Sequence, residues 1–344
     1  MIIINDFFVR HKEAVSNQME IILKNNKGKI ISATRFMGQK PLQEEDIKDN
    51  IYVYKPIIYF FMVIKEIISN PKDIVHIFEE EVCVWKRILL NLSANPVFVS
   101  MYRKPDKKYA NHLQKYKNLR IVFVELEEHK KLLIEYGISE DKIKVSPTPS
   151  KIKRKKSKKQ FNPDNVNILF ASWNNKEGNA IYDRGLEYLL QVLKENTNCS
   201  LTIPLRDNGT EEFEKMARKL KVWNRIKLLE IHNNQEVLTK LFDEADFVSF
   251  LPQKRIVKDV PNSLIDGLVR GKPVVLTNII DFSNIVKKEK IGYVIDVGDT
   301  ARKVRISIVE YNAMSERAYK YSIIHSPENY TNIISNCYND IKTI

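Results

Sequence analysis

Val260-Pro261-Asn262-Ser263-Leu264-Ile265-Asp266-Gly267-Leu268-Val269-Arg270-Gly271-Lys272-Pro273-Val274-Val275 is the stretch on which the reading of the fold turns. It reads as a helix that starts near Asn262 or Ser263. After Arg270-Gly271-Lys272 comes an apolar, β-branched strand from Pro273 to Thr277. Upstream lies a strand from Asp246 to Phe250, and downstream another from Gly292 to Ile295. Strand, helix and strand in this rhythm make a βαβ unit, which implies a parallel sheet.

The same alternation runs through the whole chain. In the second half the remaining strands are expected at Val166 to Phe170, Ser200 to Ile203 and Arg225 to Leu229. In the first half they are expected at Met1 to Ile4, Gly28 to Ser32, Ile51 to Tyr54, Asp73 to Ile77, Pro96 to Met101, Leu119 to Val124 and Lys142 to Val145. Leu186 to Leu193 and Gln235 to Glu244 have the apolar spacing of helices that cover a sheet face. At 344 residues the chain exceeds one ordinary core, so two domains are expected. Hydrophobicity falls and charge rises between Pro149 and Pro163. The expected division is therefore a first domain over 1–150, a basic linker over 151–162, a second domain over 163–315, and a closing segment over 316–344 that returns to the first domain.

Composition excludes several classes. An apolar share of 43% with 29% charged residues is that of a globular protein. The run Ile57 to Ile64 meets Lys65 and Glu66 well short of the roughly 20 residues a membrane span needs, and reads as a buried helix. Met1-Ile2-Ile3-Ile4 is too short for a signal peptide and reads as a buried strand. Cys83, Cys199 and Cys337 are isolated, which argues against disulfides or zinc and for a cytoplasmic setting. A net charge of +13 suits an anionic substrate, a nucleic acid or an anionic membrane face. The densest run, Lys151 to Lys159, has no aromatics to stack on bases, so no nucleic acid is expected and the run reads as a solvated linker.

At these residues the chain resembles the group 1 family of retaining glycosyltransferases. The resemblance rests on Ala245 to Pro252, on Val260 to Val275, on Ile291-Gly292-Tyr293-Val294, and on the helix start Asp183-Arg184-Gly185-Leu186. Weaker likenesses are Asp73 to Ile77, Ile138 to Pro149, and the tail Ser326 to Tyr330. The resemblance implies the GT-B fold, an α/β architecture of two Rossmann-like, doubly wound domains that face a central cleft. It implies sugar transfer from a nucleotide-diphosphate sugar to an acceptor hydroxyl with retention, with no cofactor and no metal.

For the donor it points to Asn262, Ser263 and Leu264 at a helix N-terminus that meets the diphosphate, to Asp266 on the ribose, and to Arg184, with Arg206 a weaker candidate. Ser263 to Asp266 is also a serviceable helix-capping pattern. The chain departs from the family around the transferred sugar. Lys258 stands where the family has its first Glu, with Asp259 next to it, and Tyr102 stands where it has a His. These three are the candidates for the catalytic set. Glu13-Ala14 replaces a glycine pair, and Lys176 is left to supply a missing arginine's charge. A catalytically degenerate nucleotide-sugar-binding protein is therefore the competing reading, and an epimerase a more distant one. The acceptor is expected to be a glycan or lipid-linked glycan, with peripheral contact at an anionic inner membrane face.

Overall fold

The computed structural model describes residues 1–8, 14–34, 48–79, 82–172, 180–205, 210–231, 234–255, 258–299 and 306–342. They divide into two compact units, one of residues 1–148 with 327–344 and one of residues 149–326.

The first unit is a parallel sheet of β1 (Ile2–Asn5), β2 (Lys29–Ala33), β3 (Ile51–Tyr54), β4 (Val75–Glu79), β5 (Val97–Met101), β6 (Leu119–Val124) and β7 (Ile143–Val145), in the order β3-β2-β1-β4-β5-β6-β7. The intervening helices are α1 (Ala14–Asn25), α2 (Pro56–Ser69), α3 (Val84–Leu92), α4 (Lys107–Leu113) and α5 (Glu127–Glu135).

The second unit is a sheet of β8 (Val166–Leu169), β9 (Cys199–Leu205), β10 (Ile226–Glu230), β11 (Phe247–Phe250), β12 (Val274–Thr277) and β13 (Gly292–Ile295), in the order β10-β9-β8-β11-β12-β13. It carries α6 (Ala180–Asp183), α7 (Leu186–Glu195), α8 (Glu211–Lys219), α9 (Gln235–Glu244), α10 (Asn262–Leu268), α11 (Phe282–Glu289) and α12 (Ile308–Tyr321). A last helix, α13 (Pro327–Lys342), belongs to the first unit. All thirteen strands expected from the sequence are present, each within two residues at either end.

Strands of such sheets are covered on both faces, so they read as continuous apolar runs. In β1 the period of two sorts the side chains between faces. Ile2 and Ile4 join Tyr59, Val63 and Ile67 of α2, Leu90 of α3 and Leu133 of α5. Ile3 joins Met19 and Ile22 of α1 and Tyr330, Ile334 and Tyr338 of α13. The second unit buries β11 and β12 completely.

Three expectations are corrected. Helix α2 buries only Tyr59, Val63 and Ile67, while Ile57 is 71% and Phe61 62% exposed. The segment 151–162 is not a solvated linker but an integral part of the second unit. The Lys155 and Ser157 amides donate to the carbonyls of Val269 and Arg270. Arg154 lies 3.8 Å over the Tyr319 ring, Phe161 stacks on Tyr311 with centroids 4.0 Å apart, and Lys159 pairs with the buried Asp246 at 2.6 Å. Lys156 and Lys159 meet acids, Glu316 and Asp246, while Lys153, Lys155 and Lys158 stay exposed. The chain passes between units at Thr148/Pro149, and again at Ser326/Pro327 rather than at residue 316.

Candidate functional site

In the second sheet the strand order reverses between β8 and β11, and open α/β sheets bind ligands beyond the carboxyl ends of strands at such a point. The segments that leave those two strands meet here. Ser172, just after β8, has its Oγ 2.9 Å from the Oγ of Ser263 on α10. Arg184 donates from Nη1 to the Ser172 carbonyl at 2.8 Å. Three separate segments therefore converge on Ser172.

Gly185 makes this possible. It has φ +79°, and a Cβ on it would lie 1.7 Å from the carbonyl oxygen of Leu251, just past β11. Only glycine fits so close to the neighbouring backbone in the left-handed region.

Helix α10 starts at Asn262 after Pro261, which makes no side-chain cap. The amides of Asn262 and Ser263, as its first two residues, have no intrahelical acceptor. The Leu264 amide donates to the Pro261 carbonyl at 3.0 Å, and its side chain is buried. The Asn262 Oδ1 is shielded from solvent and has no hydrogen-bond partner among the described residues. Asp266 is the fifth helical residue, and the capping pattern is not formed. Ser263 faces Ser172, while buried Asp266 accepts a 2.7 Å hydrogen bond from Ser150 Oγ.

The candidates for the catalytic set lie differently. Asp259 is buried and accepts from Arg255 Nη1 with both oxygens, at 2.8 and 3.0 Å. Arg255 Nη2 donates at 2.7 Å to Asp281, the residue before α11. Lys258 is half-buried beside it. Tyr102 is 2% exposed and belongs to the core of the first unit with Phe78, Phe98 and Phe123. That burial removes it from the set of groups open to a sugar in this structure. Arg206, Glu13 and Lys176 lie outside the described residues.

Arg270 and Lys272 sit beyond the far end of α10. Arg270 clasps the Asp243 carboxylate at 2.7 and 2.6 Å, and Lys272 Nζ donates to the Asp243 carbonyl at 2.9 Å. They fasten the helix to α9. Sequence reasoning did not find Ser172, Ser150 or Arg255. The only local signal was the four-residue spacing of Arg255 and Asp259; the other partners are brought together by topology.

Two parallel sheets with helices on both faces make this an α/β protein with the GT-B fold. Residues 153–322, all of them in the second unit, match the family described as Glycosyl transferases group 1. Among solved structures it is similar to HepE of Anabaena in complex with UDP, with a TM-score of 0.72 and 11% identity over 98% of this chain and 99% of that one. It is similar to WaaG, a glycosyltransferase of lipopolysaccharide biosynthesis, with a TM-score of 0.63 and 14% identity over 97% and 99%. A glycosyltransferase from Rickettsia africae gives a TM-score of 0.66 and 16% identity over 99% and 97%. No curated protein is a significant sequence match.

Proposed function

We propose that the chain moves a sugar from a nucleotide-diphosphate sugar to an acceptor hydroxyl of a glycan or lipid-linked glycan, with retention of configuration and without a metal. The convergence of Arg184, Ser172 and Ser263 at the switch point of the second sheet carries this reading. A diphosphate there meets a guanidinium already held in place, the Ser263 hydroxyl and the first amides of α10. Charge neutralised by such preorganised donors lowers the cost of the departing nucleoside diphosphate. The orphaned Asn262 Oδ1 is suited to a ligand donor such as a hydroxyl, and Asp266 to the ribose. HepE, solved with UDP-glucose, makes that compound the first donor to try.

The commitment of Asp259 to Arg255 and the burial of Tyr102 favour a second reading, in which the nucleotide sugar is bound but not turned over. One experiment decides. The full chain is incubated in EDTA with UDP-, GDP- and ADP-sugars and a glycan extract. Nucleotide binding, nucleoside diphosphate release and the product's anomeric configuration are measured. Release with retention supports transfer. Binding without release supports the second reading, inversion removes the stereochemical proposal, and no binding of any nucleotide sinks the donor site.

A further inference from the structure

The first unit carries an apolar surface that the donor reading does not use. On α2, Ile57, Phe61 and Ile68 are exposed at 71, 62 and 68%, and they recur at helical spacing on one side. On α3, Val84, Ile88 and Leu92 are exposed at 48, 54 and 84%, again on one stripe. The two helices touch through Phe60 and Trp85, whose ring centroids are 5.0 Å apart, and Phe60 and Ile58 are themselves exposed. Single exposed apolar residues are ordinary, but eight on two adjacent helices form an interaction surface.

Its rim is strongly cationic. From Val82 to Arg120 the sequence has nine Lys and Arg and a single acid, Asp106, following Glu79, Glu80 and Glu81. Lys86 alone of the nine turns inward, 2.7 Å from Asp6. Arg87 lies on α3, Lys115 and Lys117 are tied to it, and Lys107 and Lys108 lie on the next helix, α4. Arg87 on α3 reaches His112 of α4 at 3.2 Å. Asn91, beside Leu92, bonds the Lys115 carbonyl and the Lys117 amide at 2.8 Å each. Lys104, Lys107, Lys108, Lys115, Lys117 and Arg120 are exposed.

We propose that the α2–α3 face, with its lysine border, docks the protein onto an anionic lipid surface. A lipid leaflet supplies both things the patch asks for, hydrocarbon for Ile57, Phe61 and Leu92 and negative headgroups for the lysines. A second copy of the chain would oppose like charges along the same border, and a nucleic acid would leave the aliphatic stripes uncovered. Among the described residues no helix is long and apolar enough to cross a membrane, so the helices lie on the surface.

The test is co-sedimentation of the full chain with vesicles of phosphatidylcholine alone and of phosphatidylcholine with phosphatidylglycerol, at low and high salt. Binding is expected only to the anionic vesicles, and salt is expected to weaken it. Ile57→Ser/Phe61→Ser/Leu92→Ser should lose at least about tenfold in affinity, since each removes hydrocarbon from the contact. Lys107→Gln/Lys108→Gln/Lys115→Gln/Lys117→Gln should lose about a hundredfold or more. All seven residues are exposed, so melting temperature and nucleotide binding serve as controls for folding. No sedimentation with anionic vesicles at low salt, or undiminished binding by either variant, overturns the proposal. A stable dimer in solution that the serine variant dissolves overturns it in favour of self-association. The readout needs neither donor nor turnover, so its failure leaves the donor reading intact.

Discussion

Ser150 donates a 2.7 Å hydrogen bond to the carboxylate of Asp266, and both side chains are buried although 116 positions separate them. The Ser150 hydroxyl also accepts from the Ile152 amide at 3.0 Å, so the entry of the chain into the second unit is tied to α10. The tie gives Asp266 a structural duty as well as the proposed ribose contact, and substitutions separate the two. Asp266→Ala should weaken nucleotide binding by about tenfold or more, in line with the loss of hydrogen bonds to a charged group. Ser150→Ala should lower stability by about 1–2 kcal/mol with a smaller effect on affinity. Calorimetric titration beside thermal melts checks this. Equal nucleotide affinity in Asp266→Ala and the parent would reduce Asp266 to an acceptor for Ser150.

Arg255 joins Asp259 to Asp281, and Asp259 is the buried end of the bridge. Arg255→Ala removes the bidentate guanidinium from that buried carboxylate. Because the arginine is 38% exposed, solvent screens part of the loss, and about 1–3 kcal/mol is expected. Asp259→Asn in the Arg255→Ala background should recover most of it, read from denaturation midpoints. Were the double variant no more stable than Arg255→Ala, the buried charge would not be the cause. A fall in turnover for Asp259→Asn alone, with stability kept, would restore Asp259 to the sugar.

The strands were legible because each carries its own evidence, an apolar run covered on both faces. The exposure of α2 was not, because Ile57 to Ile64 is apolar almost all round and the stripe of Ile57, Phe61 and Ile68 is hidden within it. The site was half legible. Arg184 and Ser263 could be named from local pattern, but Ser172 acquires meaning only when β8 and β11 become neighbours. The Ser263 to Asp266 capping pattern failed because each side chain found a distant partner first. Lys156 and Lys159 read as solvated because the acids they meet, Glu316 and Asp246, are far along the chain.

Gly185 and Gly298 make a controlled pair. Both have positive φ, at +79° and +97°, but a Cβ on Gly298 meets nothing within 4 Å, while one on Gly185 meets the Leu251 carbonyl. Gly298→Ala should cost only its backbone strain, about 1–2 kcal/mol. Gly185→Ala must also push α7 away from β11, at a total above about 4 kcal/mol, and displace Arg184 from Ser172. Melting temperatures and soluble yields of the two variants test the difference. Similar losses would mean that φ alone matters at both sites.

The first unit should be sensitive to acid. His76 lies wholly buried on β4, with Nε2 2.8 Å from Ser100 Oγ and Nδ1 against the Tyr338 hydroxyl of α13. Burial pushes its pKa down to about 3. His112 is held down to about 4, first by burial and then by Arg87 and Lys115. An unfolded histidine titrates near its ordinary value, so below about pH 6.5 the unfolded chain takes up protons that the native state refuses. Stability contributed by these neutral rings is complete above that value and is lost as pH falls, by about 1.4 kcal/mol per unit for each ring. His76→Phe should lower stability at pH 7, because Ser100 and Tyr338 lose their partner, yet reduce the slope between pH 6 and 4.5 by about one proton. Urea denaturation across that range measures the slope separately from the offset. An unchanged slope would mean that His76 is protonated in the folded protein, and the Ser100 and Tyr338 contacts would then have to be those of an imidazolium.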